Sequence, residues 1–137
     1  MPVQSSKKPL IDKLGIKAGV TIFVRNPPED YVKVLGLLPP HVRLSKTLKG
    51  QLDFIHFFVK KKGELEKMFP LLKQKLKPNS VFWVSWPKAS SNVEIDLNEN
   101  VVRKVGLKNG LVDVKVVSVN EVWSGLKFVS RVKDRLN

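Results

Sequence analysis

No cysteine occurs among the 137 residues, which removes thiolate nucleophiles, disulfides and thiolate metal sites. The two histidines, His41 and His56, stand far apart in the chain and make a weak metal pair on their own. His56 lies inside the apolar run Leu52–Val59, between Ile55 and Phe57. A histidine acting as general base needs an orienting partner and a nucleophile within hydrogen-bond reach. Neither stands at a readable spacing, so His56 reads as a core histidine that holds a hydrogen bond. His41 follows Pro39-Pro40 and reads as a surface residue.

The remaining chemistry is cationic and aromatic. In an open α/β sheet, ligands sit beyond the carboxyl ends of the strands. Those ends carry Arg25-Asn26, Lys60-Lys61 and Trp86-Pro87-Lys88, joined by the loop that holds Ser90 and Ser91. Arg25, Asn26, Lys60, Trp86, Lys88, Ser90 and Ser91 are therefore the candidate ligand-binding residues, suited to a small anion or an acidic peptide. The ordinary reading of the same residues is a solvated loop rim, and both stay open here. Trp83 and Trp86 differ by an odd number of positions, so a regular strand sends them to opposite faces. Trp86, next to Pro87, is the candidate for an exposed stacking surface, and Trp123 is expected to pack in a hairpin. Lys60-Lys61-Lys62 is the densest basic run, but it sits at a strand-to-helix turn where a solvated cluster is ordinary. No RNA-recognition or helix-turn-helix signature accompanies it.

The elements that would position these residues centre on Leu52–Lys88. Leu52–Val59 and Ser80–Trp86 are almost continuously apolar, as suits strands covered on both faces. Between them Leu65, Met68, Phe69, Leu72 and Leu76 fall on one helical face. Pro70 interrupts that pattern and predicts a kink or two short helices. Lys77-Pro78-Asn79 reads as a tight connection into the next strand. A strand–helix–strand unit of this length is expected to be right-handed and parallel.

Upstream, Pro9–Leu14 predicts one helical turn ended by Gly15, and Val20–Arg25 a strand. Asn26-Pro27-Pro28-Glu29-Asp30 resembles a helix start with Asn26 as N-cap, leading to a short helix from about residue 28 to Leu35. Val42–Leu44 is a candidate edge strand. Downstream, Asp96 or Asn98 caps a helix carrying Leu97, Val101, Val102 and Val105, with Gly106 and Gly110 at its exit. The runs Val112–Val119 and Val122–Val129 then predict an antiparallel hairpin around Asn120-Glu121.

A length of 137 residues suits one domain, expected over 9–130, with a flexible leader at 1–8 and a charged tail at 131–137. Lys and Arg number 25 against 12 Asp and Glu, a formal charge of +13. Such a field attracts an acidic protein, a small anion or nucleic acid. No apolar run reaches the roughly 18–20 residues of a membrane span, and Met1–Lys8 lacks the apolar stretch of a signal peptide. The expectation is a cytoplasmic protein with no membrane partner.

The segment LLKQKLKPNSVFWVSWPK resembles the passage from the fourth helix to the fifth strand of the S-adenosylmethionine-dependent methyltransferase fold. The terminal hairpin resembles that fold's last two strands. The leader KLGIKAG, the Asn-Pro turn, the Pro-Lys after the central strand and EVWSGLKF are similar to a small bacterial family that carries a cut-down version of the fold, from which no activity carries over. The resemblance covers roughly Pro9–Val129. It implies a Rossmann-like, three-layer α/β sheet. The strand–helix rhythm and the hairpin together predict six strands in the order 2-1-3-4-6-5, with only the last strand antiparallel.

Two departures bear on function. Working methyltransferases end their first strand in a Gly-rich loop that approaches the cofactor closely. Here the loop is Arg25-Asn26-Pro27-Pro28-Glu29, without glycine. They end their second strand in an acidic residue that holds the ribose hydroxyls, whereas this strand ends near Ser45 and Lys46. The expectation is a non-catalytic binding or interaction module without a cofactor, catalytic residue or metal. The alternatives are a methyltransferase with an altered pocket and a weak nucleic-acid-binding protein.

Overall fold

The computed structural model describes residues 9–45, 47–48, 51–89 and 95–131. The leader 1–8, Ser90, Ser91 and residues 132–137 lie outside the described residues. In chain order the elements are α1 (Leu10–Leu14), β1 (Thr21–Arg25), α2 (Tyr31–Leu35), β2 (Arg43–Ser45) and β3 (Leu52–Phe58). They continue with α3 (Lys62–Lys73), β4 (Leu76–Pro87), α4 (Glu99–Lys108), β5 (Leu111–Ser118) and β6 (Trp123–Ser130).

The strands form one six-stranded sheet in the order β2-β1-β3-β4-β6-β5. β1 pairs in parallel with β2 and β3, and β3 in parallel with β4. β6 runs antiparallel to both β4 and β5. This is the arrangement the strand–helix rhythm predicts.

Both faces are covered, which is why β3 and β4 are apolar without alternation. On one face α3 and α4 pack Leu65, Phe69, Leu72, Val102 and Val105 against Ile55, Phe57, Phe82, Val84 and Phe128. On the other, α1 and α2 pack Leu10, Leu14, Tyr31 and Leu35 against Ile22, Phe54, Phe58 and Trp83. Phe54, Phe58, Leu72 and Val84 are buried, as expected. Each such side chain contributes about 1.5–3 kcal/mol of burial.

Local signals mostly explain the boundaries. Gly15 closes α1 in the left-handed region at φ 78°, where a side chain would be strained. The Asn98 side chain accepts from the Val101 N–H and caps α4. Asn120 accepts from the backbone N–H groups of Val122 and Trp123, shaping the β5–β6 turn.

Four expectations are corrected. Pro70 lies within α3 without dividing it, since Leu65 and Phe69 before it and Leu72 after it are seated in the same core. Lys77-Pro78-Asn79 belongs to β4, which begins at Leu76, and its register against β3 shifts between Leu52 and Phe54. Gly106 is buried inside α4 rather than at its exit, because a Cβ there would sit 2.0 Å from Phe128 Cε1. The glycine is what lets the helix lie against β6. Asn26 does not cap a helix: α2 starts at Tyr31, after Asp30.

Candidate functional site

β1 and β3 are adjacent and parallel, so their chains leave the sheet side by side. Between the two exits lies a cleft of about 470 Å³. The loop after β1 supplies Asn26, Pro27, Pro28 and Glu29 to its wall. Phe58 comes from the end of β3, Lys60 and Lys61 from the turn after it, Glu64 from the first turn of α3, and Trp123 from the start of β6. The lining thus combines apolar rings with both signs of charge. Pro27, Pro28 and Glu29 also form one wall of a second depression of about 360 Å³, which reaches Tyr31, Leu44 and Ser45 at the end of β2. The prolines line these two spaces rather than fill them.

Asn26 organises the loop. Its backbone takes φ 55°, the left-handed region that asparagine tolerates better than most residues. The turn a glycine makes in a Gly-rich loop is therefore made here by Asn26. Its side chain donates to Glu64 Oε2 at 2.9 Å and to the Phe58 carbonyl at 3.4 Å, which ties the β1 exit to the β3 exit. Arg25 lies 3.9 Å from the same Glu64 oxygen, and its buried Nε has no hydrogen-bond partner.

Of the residues expected at this rim, Arg25, Asn26 and Lys60 come together around the cleft. Lys88 does not line it; its ammonium donates to Ser118 Oγ at 2.7 Å on the hairpin side. Ser90 and Ser91 lie outside the described residues. Trp86 is corrected from an exposed stacking residue to a buried one, 6% exposed. β4 continues past it to Pro87, Trp86 is paired across to Ser124, and its ring joins the core beside Leu97. Trp83 faces the opposite core, as parity requires. Trp123 packs edge-on against Phe58 at 5.0 Å, and both rings reach the cleft.

Behind the cleft lies a chain of buried polar groups. The Tyr31 hydroxyl is 2.9 Å from His56 Nδ1, and His56 Nε2 is 2.7 Å from Ser85 Oγ. A neutral imidazole offers one donor and one acceptor, so both bonds are satisfied in either tautomer. Desolvation pushes the His56 pKa down to about 3 and pushes the Tyr31 phenol well up. The His56 ring also stacks on Phe58 at 4.2 Å, which links the chain to the cleft wall.

The Ser85–His56 distance is that of a nucleophile and its base, but both residues are 0% exposed. Gly125 lies directly across from Ser85, its Cβ position 3.2 Å from the hydroxyl. No substrate reaches this pair, so it fastens α2, β3 and β4 together. The core reading of His56 holds. Its partners are 25 and 29 positions away, too far for spacing to suggest. The one usable signal was register: His56 pairs with Trp83, which puts Ser85 on the same face one pleat further. Among the described residues no group of three or more His, Cys, Asp or Glu could hold a metal, and no helix is long and apolar enough to cross a membrane.

No protein-family model matches the chain, and no curated protein sequence matches it. Solved structures do. Magnesium protoporphyrin IX methyltransferase from Synechocystis, with bound S-adenosylmethionine, superposes with a TM-score of 0.57 at 11% identity, over 89% of this chain and 74% of that one. An S-adenosylmethionine-dependent methyltransferase from Aquifex aeolicus gives 0.55 at 15% identity, over 91% and 88%. A protein described as a type 11 methyltransferase from Sulfolobus solfataricus gives 0.63 at 14% identity, over 94% and 93%. At these identities the likeness is one of fold, and the fold is methyltransferase-like.

Proposed function

We propose that the cleft between the β1 and β3 exits binds S-adenosylmethionine, and that the chain is a methyltransferase with an altered cofactor pocket. The observation that carries this reading is the cleft itself. It lies beyond the carboxyl ends of adjacent parallel strands, where α/β sheets hold ligands, and it is of ligand size. Its lining suits a zwitterion with an apolar body. Lys60 and Lys61 are placed for a carboxylate, Glu29 for an ammonium or sulfonium, and Pro27, Pro28 and Phe58 for apolar surface. Methyl transfer from a sulfonium is a displacement that depends chiefly on alignment, so the reading needs no nucleophile on the protein. The methyltransferase-like fold supports it over the non-catalytic module expected from the sequence.

One observation favours the second reading, a non-catalytic binding module. The described end of β2 offers Leu44 and Ser45 to the adjoining depression and no carboxylate for ribose hydroxyls. A charge-assisted hydrogen bond of that kind is worth roughly 1.5–3 kcal/mol. A micromolar site would weaken by its loss to tens or hundreds of micromolar. Isothermal titration with S-adenosylmethionine and with its demethylated product tests both readings. Saturable binding in that range, weakened at least tenfold in Lys60→Ala/Lys61→Ala, supports the first. Absence of binding up to about millimolar ligand in the folded protein overturns it in favour of the second.

A further inference from the structure

A group of lysines stands on the α1/α2 face of the sheet, toward the opposite end of β4 from the cleft. The β5–β6 register places Lys115 directly across from Lys127. Cross-strand partners share a face, and like charges so placed repel. The Lys127 ammonium lies 3.8 Å from the Cβ position of Gly15, at the end of α1. Lys17 follows two residues later and is exposed. Cations from β5, β6 and the loop after α1 thus lie near enough to repel one another. Among the described residues none of the three has an ion-pair partner.

Beside them on the same face is a groove of about 360 Å³, formed by Pro78–Val81 with Val114 and Val129. Val129 is one pleat along β6 from Lys127, on the order of 7 Å away. The groove is partly apolar and open.

We propose that Lys17, Lys115 and Lys127 form a phosphate-binding site, and that the Pro78–Val81 groove receives the sugar and base attached to that phosphate. The ligand is a nucleotide, either free or as a unit of a single strand. Burial and the charges of Lys115 and Lys17 together push the Lys127 ammonium below the usual lysine range, as crowding of like charges does. A bound phosphate reverses both effects, because it supplies the missing counter-charge. Among the described residues no ion pair offsets the repulsion, so the cluster costs the protein stability that a ligand restores.

The test uses the full chain and a fluorescently labelled single-stranded oligonucleotide, read by anisotropy across salt concentrations. One variant is Lys17→Gln/Lys115→Gln/Lys127→Gln. The control is Lys67→Gln/Lys104→Gln/Lys108→Gln, which removes the same charge from α3 and α4 across the sheet. The site variant is expected to bind at least tenfold more weakly at low salt. Its log–log salt slope should shrink by about 0.7, the value for one phosphate contact on a single strand. The control should change little, and the site variant should melt higher than the parent. Displacement by a nucleoside monophosphate identifies the free nucleotide as ligand; no displacement identifies the strand. Equal losses in the two triple variants, no loss in the site variant, or no binding of either probe overturns the proposal. Should the triple variant fold poorly, Lys115→Gln alone decides the matter, since its side chain is exposed; a loss of about threefold is expected.

Discussion

His56 makes the acid stability of this protein depend on one ring. Its pKa is about 3 in the folded chain, because burial disfavours the cation, against an ordinary value of 6.5. Between those two values the unfolded chain binds a proton that the folded chain does not. Stability from this group is therefore fully present above pH 6.5 and falls as the pH drops toward 3. The slope approaches 1.4 kcal/mol per pH unit, so lowering the pH from 6.5 to 4 costs about 3 kcal/mol. That is a large share of a typical domain's stability. Asp53 and Asp113 act in the same direction. Desolvation raises Asp53, but hydrogen bonds from Lys77 and the Thr21 N–H outweigh it, and Arg103 holds Asp113 low. Wild-type acid sensitivity alone therefore cannot isolate the histidine, and the informative quantity is a difference. His56→Gln keeps a donor and an acceptor near Tyr31 and Ser85 but cannot charge. Urea melts from pH 7 to pH 4 should show the wild type losing stability more steeply than His56→Gln, by about 1 kcal/mol per unit. Parallel curves for the two proteins would show that His56 is not held neutral, and the reasoning from burial would fall.

Tyr31→Phe leaves His56 Nδ1 without its buried partner and should cost about 1–3 kcal/mol, measured by urea denaturation at pH 7; a neutral outcome would mean that water replaces the hydroxyl. Gly106→Ala should destabilise by about 1–3 kcal/mol, since the added methyl lands on Phe128. Helix propensity alone predicts the opposite sign by about 1 kcal/mol, so a thermal melt separates the two arguments. Leu72→Ala should cost about 2–5 kcal/mol, and a loss below about 1 kcal/mol would mean that α3 does not cover the sheet as described.

The parallel core was legible because doubly covered strands leave a mark in one dimension. Leu52–Phe58 and Val81–Trp86 are apolar at nearly every position, and Leu65, Phe69 and Leu72 repeat at helical spacing. What stayed hidden depends on contacts between distant residues. Asn26 looked like a cap because asparagine before proline usually is one; it instead bridges to Glu64 and Phe58, and the helix waits until Tyr31. Trp86 looked terminal because Pro87 follows it, but β6 pairs alongside as far as Pro87. Glycine in a helix reads as a stop unless one knows that Phe128 lies beneath it. The cleft was half legible. Arg25, Asn26 and Lys60 follow from the rule on strand ends, whereas Glu64 and Trp123 enter only through the three-dimensional course of α3 and β6.

The placing of β6 between β4 and β5 has a consequence for synthesis. A nascent chain can build β1 to β4 in order, each strand docking on one already made. β5 emerges next but has no neighbour to join, because among the described strands its partner is β6. Until residue 130 is free, the edge of β4 that carries Phe82, Val84 and Trp86 stays open, and β5 waits as an unpaired, valine-rich strand. Open edges of that kind recruit other chains. Stalled or truncated products ending before Trp123 should therefore aggregate rather than fold, because β6, made after β5, is the strand that joins it to β4.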